Sequence, residues 1–222
     1  MTDIAAFDFD GTLTTGGSVL SFLVAVSDRR RVVEAITALW PRLLHGALSG
    51  GATADRTKEM LFKRVLAGVS VEHLNSVSAV FASEHLARHQ RDDVRRRFDW
   101  HRARGDRVAI VSASPECYVG PVGVELGADV VIATRLEVAP NGSLSGRYDG
   151  ENCRGEEKLR RLQAWAGELG PTERLWAYGN SRGDLRMLAA ADVGVNVGRL
   201  GRFGPLRHLA TLDGTRPAGR PA

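Results

Sequence analysis

The first apolar run of the chain ends in two carboxylates, and this arrangement constrains the fold more than any other. Residues Ile4 to Phe9 are apolar except for Asp8, and Asp10 and Gly11 follow them directly. A short and nearly continuous apolar run predicts a strand that is buried on both faces of a parallel sheet. Open α/β sheets bind ligands just beyond the carboxyl ends of their strands. We therefore predict an α/β protein whose functional site includes Asp8 and Asp10.

Two carboxylates with this spacing suit phosphoryl chemistry. Their mutual repulsion favours a divalent cation, and hard oxygen ligands suit Mg²⁺. An ionised Asp8 can attack phosphorus, while Asp10 can protonate the leaving oxygen and then deprotonate the attacking water. A bare Asp-x-Asp pair is more often solvated or caps a helix, whereas the longer string from Asp8 to Thr14 is much more specific.

A second apolar run, Val108 to Val111, ends in the hydroxyl residue Ser112. A hydroxyl at a strand tip can hold a phosphoryl oxygen together with the amides of the next turn. Ser112 on its own could equally be a helix N-cap. Ser114, just before Pro115, is the better candidate for that cap.

Two further segments place a lysine and an acidic loop in the second half of the chain. Lys158 lies in the first turn of an amphipathic helix, where a cation is unfavourable for the helix dipole. That local conflict indicates a purpose such as meeting phosphate charge. Leu175 to Tyr178 reads as another strand that runs into a polar loop, with a helix from about Asp184.

These four segments, in this order, resemble the motifs of the haloacid dehalogenase (HAD) superfamily of phosphohydrolases, and their intervals are most similar to its phosphoserine-phosphatase-like subfamily IB. The resemblance implies a HAD-like doubly wound parallel sheet with an α-helical C1 cap inserted after strand one. It also implies a Mg²⁺-dependent phosphomonoester hydrolase that works through an aspartyl-phosphate. The site residues that it implies are Asp8 and Asp10 for catalysis, Gly11, Ser112 and Lys158 for phosphate, and Asp8, Asp10, Asn180 and Asp184 for the metal.

Asn180 departs from the family pattern. The family usually carries G-D-x-x-x-D, and Asn180 stands where the first of these acids is expected. An amide oxygen can ligate Mg²⁺ but adds no charge, so we expect weaker metal affinity, with Asp184 close to the metal or behind its ligands. Asn180 also supports an alternative, a weakly active or non-catalytic binding protein with this fold. A metal-free dehalogenase is a further alternative, which Asp10 argues against.

The resemblance divides the chain into a core domain at 1–15 and 88–198, a helical cap at 16–87 and a basic segment at 199–222. The predicted cap helices run from Ser18 to Val26, Arg29 to His45, Thr53 to Leu66, and from a Ser70 cap to His89. The predicted core elements are a helix at Arg91–Arg104, strands at Arg107–Ser112, Asp129–Ala133, Leu175–Tyr178 and Val193–Val197, helices at Pro115–Leu126 and from Lys158 to about Gly167, and a hairpin at Arg135–Val138 and Ser143–Tyr148.

Two histidines at helical spacing, His85 and His89, could bind a transition metal. No third ligand accompanies them in the sequence, so we place them on a solvated helix face instead.

Charge and cysteine content limit the partners and the compartment. The net charge is +4, and residues 199–222 hold five arginines against one aspartate, which accounts for the whole excess. We therefore expect no nucleic-acid partner, although the basic tail, whose end we expect to be disordered, leaves transient contact with an anionic membrane surface open. Two cysteines, no signal peptide and no membrane-spanning stretch predict a cytoplasmic protein without a disulfide framework. The oligomeric state is not indicated.

The predicted substrate is a small-molecule or lipid phosphomonoester. The segment Thr15 to Leu20 contains no acid that would pair with a substrate ammonium, which counts against phosphoserine. Related subfamily members act on lipid phosphates. The apolar segment Val19–Val26 and Trp40 would suit an acyl chain, but they suit the core of a helical cap equally well, and core is the more common fate.

Overall fold

A computed structural model describes residues 2–49, 51–198 and 208–213. Its strands are β1 Thr2–Phe7, β2 Arg107–Pro115, β3 Val130–Thr134, β4 Leu136–Val138, β5 Leu144–Tyr148, β6 Thr172–Gly179, β7 Val193–Asn196 and β8 Ala210–Thr211. Its helices are α1 Val19–Val26, α2 Arg29–Ser49, α3 Gly51–Leu66, α4 Val71–His89, α5 Asp92–Arg104, α6 Glu116–Leu126, α7 Glu156–Glu168 and α8 Leu185–Ala190, and a 3₁₀ turn at Arg182–Asp184 precedes α8.

The main sheet is parallel throughout, which confirms the predicted fold class. Within the described residues its strand order is β3-β2-β1-β6-β7-β8. The central strand β1 pairs in parallel with β2 on one side and β6 on the other. Residues 4–7 of β1 are at most 1% exposed, as expected for a strand that helices cover on both faces. The carboxyl ends of β1, β2 and β6 therefore open at the same edge.

Helices α1 to α4 lie between β1 and α5 in the chain, and we call them the inserted helices. The hairpin of β4 and β5 lies where the sequence predicts it, and it docks on them. The Gly68 N–H donates to the Leu144 carbonyl at 2.9 Å, and the Leu144 N–H donates to the Val69 carbonyl at 2.8 Å. Ser70 caps α4 as predicted, since its side chain accepts a hydrogen bond from the His73 N–H.

Strand β1 ends two residues before its predicted end at Phe9. The N–H groups of Thr12 and Thr14 both donate to the Phe9 carbonyl, at 3.2 and 3.1 Å. These bonds fold the segment into a turn, so Asp8 and Asp10 lie on a loop rather than on the strand.

The solvated position predicted for His85 is wrong. Its side chain is 5% exposed, and its ring stacks on Phe81 with centroids 5.2 Å apart. Helix α4 packs between the core domain and the other inserted helices, so a face that looks polar in sequence is covered. His89 lies next to it, with Nδ1 3.3 Å from the Thr15 hydroxyl.

The inserted helices divide their apolar side chains between interior and surface. Phe22 and Leu23 of α1 are fully buried, whereas Leu20 is 52% and Trp40 59% exposed. The core position that was favoured for Trp40 is therefore wrong.

The basic C-terminal segment is described only at residues 208–213, where β8 extends the sheet. The remaining predictions for 199–222 lie outside the described residues. Within the described ranges, no helix is long and apolar enough to cross a membrane.

Candidate active site

The strand ends gather five of the predicted site residues around one small cavity. Its volume is about 110 Å³, and its lining includes Asp8, Asp10, Ser112, Lys158 and Asp184. They come from the loop after β1, from β2, from the first turn of α7 and from the 3₁₀ turn after β6. A larger groove of about 680 Å³ beside β3 and α7 contains none of the predicted site residues.

Lys158 is the charged centre of this cavity. Its Nζ lies 2.7 Å from Asp8 Oδ1 and 2.6 Å from Asp184 Oδ1, and its side chain is 2% exposed. Burial by itself lowers the pKa of Lys158, but the charges of Asp184 and Asp8 outweigh burial and leave that pKa raised. The ammonium therefore stays protonated in the interior, next to the carboxylate predicted as nucleophile.

The pKa values of the two carboxyl groups that Lys158 joins are shifted in opposite directions. Burial and the negative charge of Asp184 raise the pKa of Asp8, against the opposing effect of Lys158. Burial would also raise the pKa of Asp184, but Lys158 and the hydrogen bonds from Ser181 leave it lowered. A further cation beside Asp8 would favour its ionised form.

Asp184 has hydrogen-bond donors on both of its oxygens. Oδ2 accepts bonds from the Asn180 N–H at 3.2 Å, the Ser181 N–H at 3.0 Å and the Ser181 hydroxyl at 2.8 Å. These bonds form a capping box that holds the 3₁₀ turn at Arg182–Asp184. The helix predicted from about Asp184 thus starts as this turn, and α8 follows it. Asp184 thus orients both Lys158 and the loop.

Asp10 is held by Ser18, just before α1, and by Ser114 of β2. Its Oδ1 accepts a bond from the Ser18 N–H at 2.8 Å, and its Oδ2 accepts one from the Ser114 hydroxyl. The helix-capping role predicted for Ser114 is wrong, because Ser114 lies within β2 and the N-cap residue of α6 is Pro115, with no side-chain cap bond. Ser112, 1% exposed, accepts a bond at its Oγ from the Ser114 N–H at 3.0 Å.

Gly11 and Asn180 lie against each other and are not among the lining residues of the cavity. Gly11 has φ +78°, and a Cβ there would come within 1.9 Å of Asn180 Nδ2. A side chain at residue 11 would therefore displace Asn180. The other side-chain atom of this amide, Oδ1, is buried and has no hydrogen-bond partner among the described residues.

That unpartnered oxygen fits a bound cation. Among the described residues, no three His, Cys, Asp or Glu side chains group as a metal site. A metal here would need neutral oxygens in addition to Asp8. The Asn180 amide oxygen and the Asp10 backbone carbonyl are of the hard type that Mg²⁺ prefers.

Three charged residues lie next to the cavity, and the sequence marks only Lys58 among them, as a cation that could meet a second anionic group of the substrate or be solvated. Arg154 lines the cavity and lies 3.7 Å from Asp55 of α3. Lys58, one turn further along α3, donates from Nζ to the Ala113 carbonyl at 2.5 Å. Their positions depend on contacts between segments about 55 to 100 residues apart, and no local pattern predicts these positions.

The two cysteines are free thiols. Cys153 is fully buried, and burial raises its pKa to about 11. A thiol in this environment is inert, because burial disfavours the reactive thiolate.

Comparison with known proteins identifies one family over most of the chain. A family model described as haloacid dehalogenase-like hydrolase matches residues 5–189, a span that contains every predicted site residue. Protein CicA of Caulobacter vibrioides is 36% identical over 190 residues, which cover 85% of this chain and 83% of CicA. Histidinol-phosphatase of Neisseria meningitidis is 26% identical over 192 residues, covering 85% of this chain and 86% of that protein.

A solved structure with a similar fold is that of a substrate-bound phosphoserine phosphatase. Its TM-score is 0.65 at 20% identity, and the match covers 89% of this chain and 86% of that one. At this identity the similarity shows a shared fold.

Proposed function

Because the chain belongs to the haloacid dehalogenase-like hydrolase family, we propose that it is a Mg²⁺-dependent phosphomonoester phosphatase that acts through an aspartyl-phosphate on Asp8. The observation that carries this proposal is the buried ammonium of Lys158, 2.7 Å from Asp8 and 2.6 Å from Asp184. It keeps a carboxylate at the cavity wall and supplies positive charge where phosphate charge would develop.

The first half-reaction transfers the phosphoryl group to Asp8. A carboxylate oxygen of Asp8 attacks phosphorus, and the bond from phosphorus to the leaving oxygen breaks. Asp10 donates its proton to that oxygen, and the alcohol departs. Lys158 and the Ser112 hydroxyl meet the phosphoryl oxygens.

The second half-reaction restores the enzyme. Asp10, now ionised, takes a proton from water as the water oxygen attacks phosphorus. The bond between phosphorus and Asp8 breaks, which releases inorganic phosphate and leaves Asp10 protonated again. One carboxyl thus serves as acid and then as base.

The proposed metal ligands are the Asp8 carboxylate, the Asp10 backbone carbonyl and Asn180 Oδ1. A bound Mg²⁺ would supply charge that draws the phosphate dianion towards the Asp8 carboxylate. In this arrangement, Asp184 orients Lys158 and the loop of Asn180. Gly11 has no side chain, so it lets that loop come close to the loop after β1.

We also propose that the inserted helices form the C1 cap at 16–87 over a core of 1–15 and 88–198. Asp55 and Lys58 of α3 support this division, because both contact segments beside the cavity. Small phosphometabolites and lipid phosphates both remain candidate substrates, the latter because Leu20 and Trp40 are exposed. The free thiols agree with a cytoplasmic location.

The test of the mechanism is Asp8→Asn, measured with p-nitrophenyl phosphate and Mg²⁺. We expect kcat to fall by roughly a thousandfold or more, because the nucleophile is lost. Asp149→Asn, at an exposed ion pair with Arg135, is the control and should keep full activity. Turnover retained by Asp8→Asn would overturn the mechanism.

The substrate class needs a second measurement. A panel of phosphoserine, histidinol phosphate, other small phosphomonoesters and phosphatidylglycerol phosphate should identify one preferred group in the presence of Mg²⁺. Chloride release from a haloacid without added metal would instead favour the dehalogenase alternative. If Mg²⁺ binds but none of these compounds is turned over, the result would favour the alternative of a non-catalytic binding protein with this fold.

A further inference from the structure

The peptide group between Ala113 and Ser114 connects an inserted helix to the predicted phosphate site. Its carbonyl oxygen accepts a hydrogen bond from Lys58 Nζ at 2.5 Å. The Thr134 hydroxyl lies 2.9 Å from the same carbonyl oxygen and 2.9 Å from Asn152 Oδ1, and its one proton is shared between these two acceptors. Lys58 belongs to α3, whereas Thr134 ends β3 of the core sheet. The carbonyl is thus held from both sides.

The N–H of the same peptide group points to Ser112. It donates to Ser112 Oγ at 3.0 Å. A peptide group is planar, so an anchored carbonyl also fixes the direction of its N–H. Since Ser112 Oγ already accepts this bond, its own O–H is left to donate to another acceptor, such as a phosphoryl oxygen.

Lys58 is an unusual choice for this task. Its two hydrogen bonds go to neutral oxygens, the Ala113 carbonyl and Asn152 Oδ1 at 3.5 Å. Burial lowers its pKa to about 8, although Asp10 and Asp55 oppose the change, so it stays charged at neutral pH. A hydrogen bond from a charged donor is stronger than one from a neutral donor and polarises the peptide that accepts it.

Other contacts keep Lys58 in place. Asn152 donates from Nδ2 to Asp55 Oδ1 at 2.8 Å, one turn earlier on α3. The Lys58 ammonium also lies 5.4 Å from the ring centroid of Phe62 and 6.0 Å from that of Tyr148. These contacts hold α3 against the core, next to the end of β2 that carries Ser112.

We propose that Lys58 is a positioning residue that sets the Ser112 hydroxyl for phosphate through the Ala113–Ser114 peptide. The seating of α3 on the core and the affinity for phosphate are then coupled through one peptide group. This inference rests on the proposed function, because it assigns Ser112 to phosphate binding.

The test is a double-mutant cycle between Lys58→Met and Ser112→Ala. Its readout is the dissociation constant of inorganic phosphate, measured by calorimetry with Mg²⁺ present, together with KM and kcat for p-nitrophenyl phosphate. We expect Lys58→Met to weaken phosphate binding by about tenfold, the effect of losing one well-placed hydrogen bond. In the Ser112→Ala background the same change should weaken it by less than about twofold, since coupled residues are not additive.

Lys63→Met is the matched control, because Lys63 is an exposed lysine on the same helix. It should leave phosphate affinity unchanged. Lys58→Arg keeps a charged donor and should restore most of the affinity that Lys58→Met loses. If circular dichroism shows that Lys58→Met does not fold, Lys58→Gln replaces it in the same cycle.

Independent effects of the two substitutions would overturn the inference, and they would indicate that Lys58 contacts phosphate itself or only supports the fold. Phosphate binding is measured without turnover, so this result does not depend on the Asp8→Asn experiment. An Asp8→Asn variant that remains active would contradict the aspartyl-phosphate mechanism and leave the coupling of Lys58 with Ser112 measurable.

Discussion

Asn180 sets the charge of the candidate metal site. Its Oδ1 is buried without a hydrogen-bond partner among the described residues, while its N–H donates to Asp184. An oxygen left in this state is costly unless a ligand completes it. With the amide in place of a carboxylate, Asp8 supplies the only negative charge among the proposed ligands.

Asn180→Asp should therefore tighten Mg²⁺ binding by roughly tenfold, because it adds a charged oxygen of nearly the same shape. Calorimetric titration with magnesium chloride measures the change. Asn141→Asp, in the exposed turn of the hairpin, is the control and should leave the affinity unchanged. Equal affinity in wild type and Asn180→Asp would show that residue 180 is not a ligand.

The sequence predicts a functional residue where its neighbours in the chain form a recognisable pattern. Asp8, Ser112 and Lys158 each stand at a strand end or helix start within a short pattern, and the structure brings them to one cavity. Lys58 and Arg154 lie in no such pattern, since their roles arise from contacts between an inserted helix and the core. Ser114 was misassigned because a serine before a proline also fits a helix cap.

Among the elements, the hairpin of β4 and β5 packs against the inserted helix α3 through a close backbone approach. Gly146 of β5 has φ +79°, and a Cβ there would lie 2.6 Å from Lys63 Cα. Only a residue without a side chain lets the strand approach α3 this closely. Gly142 in the hairpin turn has φ +77° but nothing within 4 Å of such a Cβ.

Gly142 and Gly146 allow the energetic cost of a left-handed backbone to be measured separately from the cost of overpacking. Gly142→Ala should lower the free energy of unfolding by about 1 kcal/mol, the cost of a left-handed backbone for an L-residue. Gly146→Ala should lower it by about 2–4 kcal/mol, because overpacking against α3 is added. Urea unfolding measures both, and equal losses would contradict tight docking of the hairpin on α3.

Element types were predictable and their ends less so. The hairpin follows from Asn141-Gly142 between two alternating runs, and the start of α4 follows from Ser70. The early end of β1 depends on the turn that closes on the Phe9 carbonyl. The burial of His85 depends on which helices pack against α4, and helical spacing in one segment does not contain that information.

Across the whole molecule, a buried polar network joins α5, the loop between α5 and β2, β6 and the segment at residues 208–213. His101 Nδ1 lies 2.7 Å from Asp106 Oδ2, and its Nε2 lies 2.8 Å from the Tyr178 hydroxyl. Arg97 contacts the same hydroxyl at 3.4 Å and the Leu212 carbonyl at 3.2 Å. The Tyr178 carbonyl in turn accepts a bond from the Asp8 N–H at 2.9 Å, so the network reaches the backbone of the active site.

The network requires a neutral His101. An ionised Asp106 accepts from Nδ1–H, so Nε2 carries no proton and accepts from the Tyr178 hydroxyl. Burial, together with the charges of Arg97 and Arg104, lowers the pKa of His101 from 6.5 to about 3. Protonation of this ring at Nε2 would remove the acceptor of the hydrogen bond that the Tyr178 hydroxyl donates.

The fold should therefore lose stability in mild acid. Between pH 6.5 and about 3 the unfolded chain binds a proton at residue 101 that the folded chain does not, so the free energy of unfolding falls as pH falls. From pH 7 to pH 5 this residue should account for a loss of about 2 kcal/mol. Urea unfolding at the two pH values should show that loss in wild type and in the control His208→Gln, which changes an exposed histidine. In His101→Gln the loss of unfolding free energy between the two pH values should be smaller by about 2 kcal/mol. An equal loss in His101→Gln would mean that residue 101 binds protons equally in the folded and the unfolded chain, and the neutral network would be wrong.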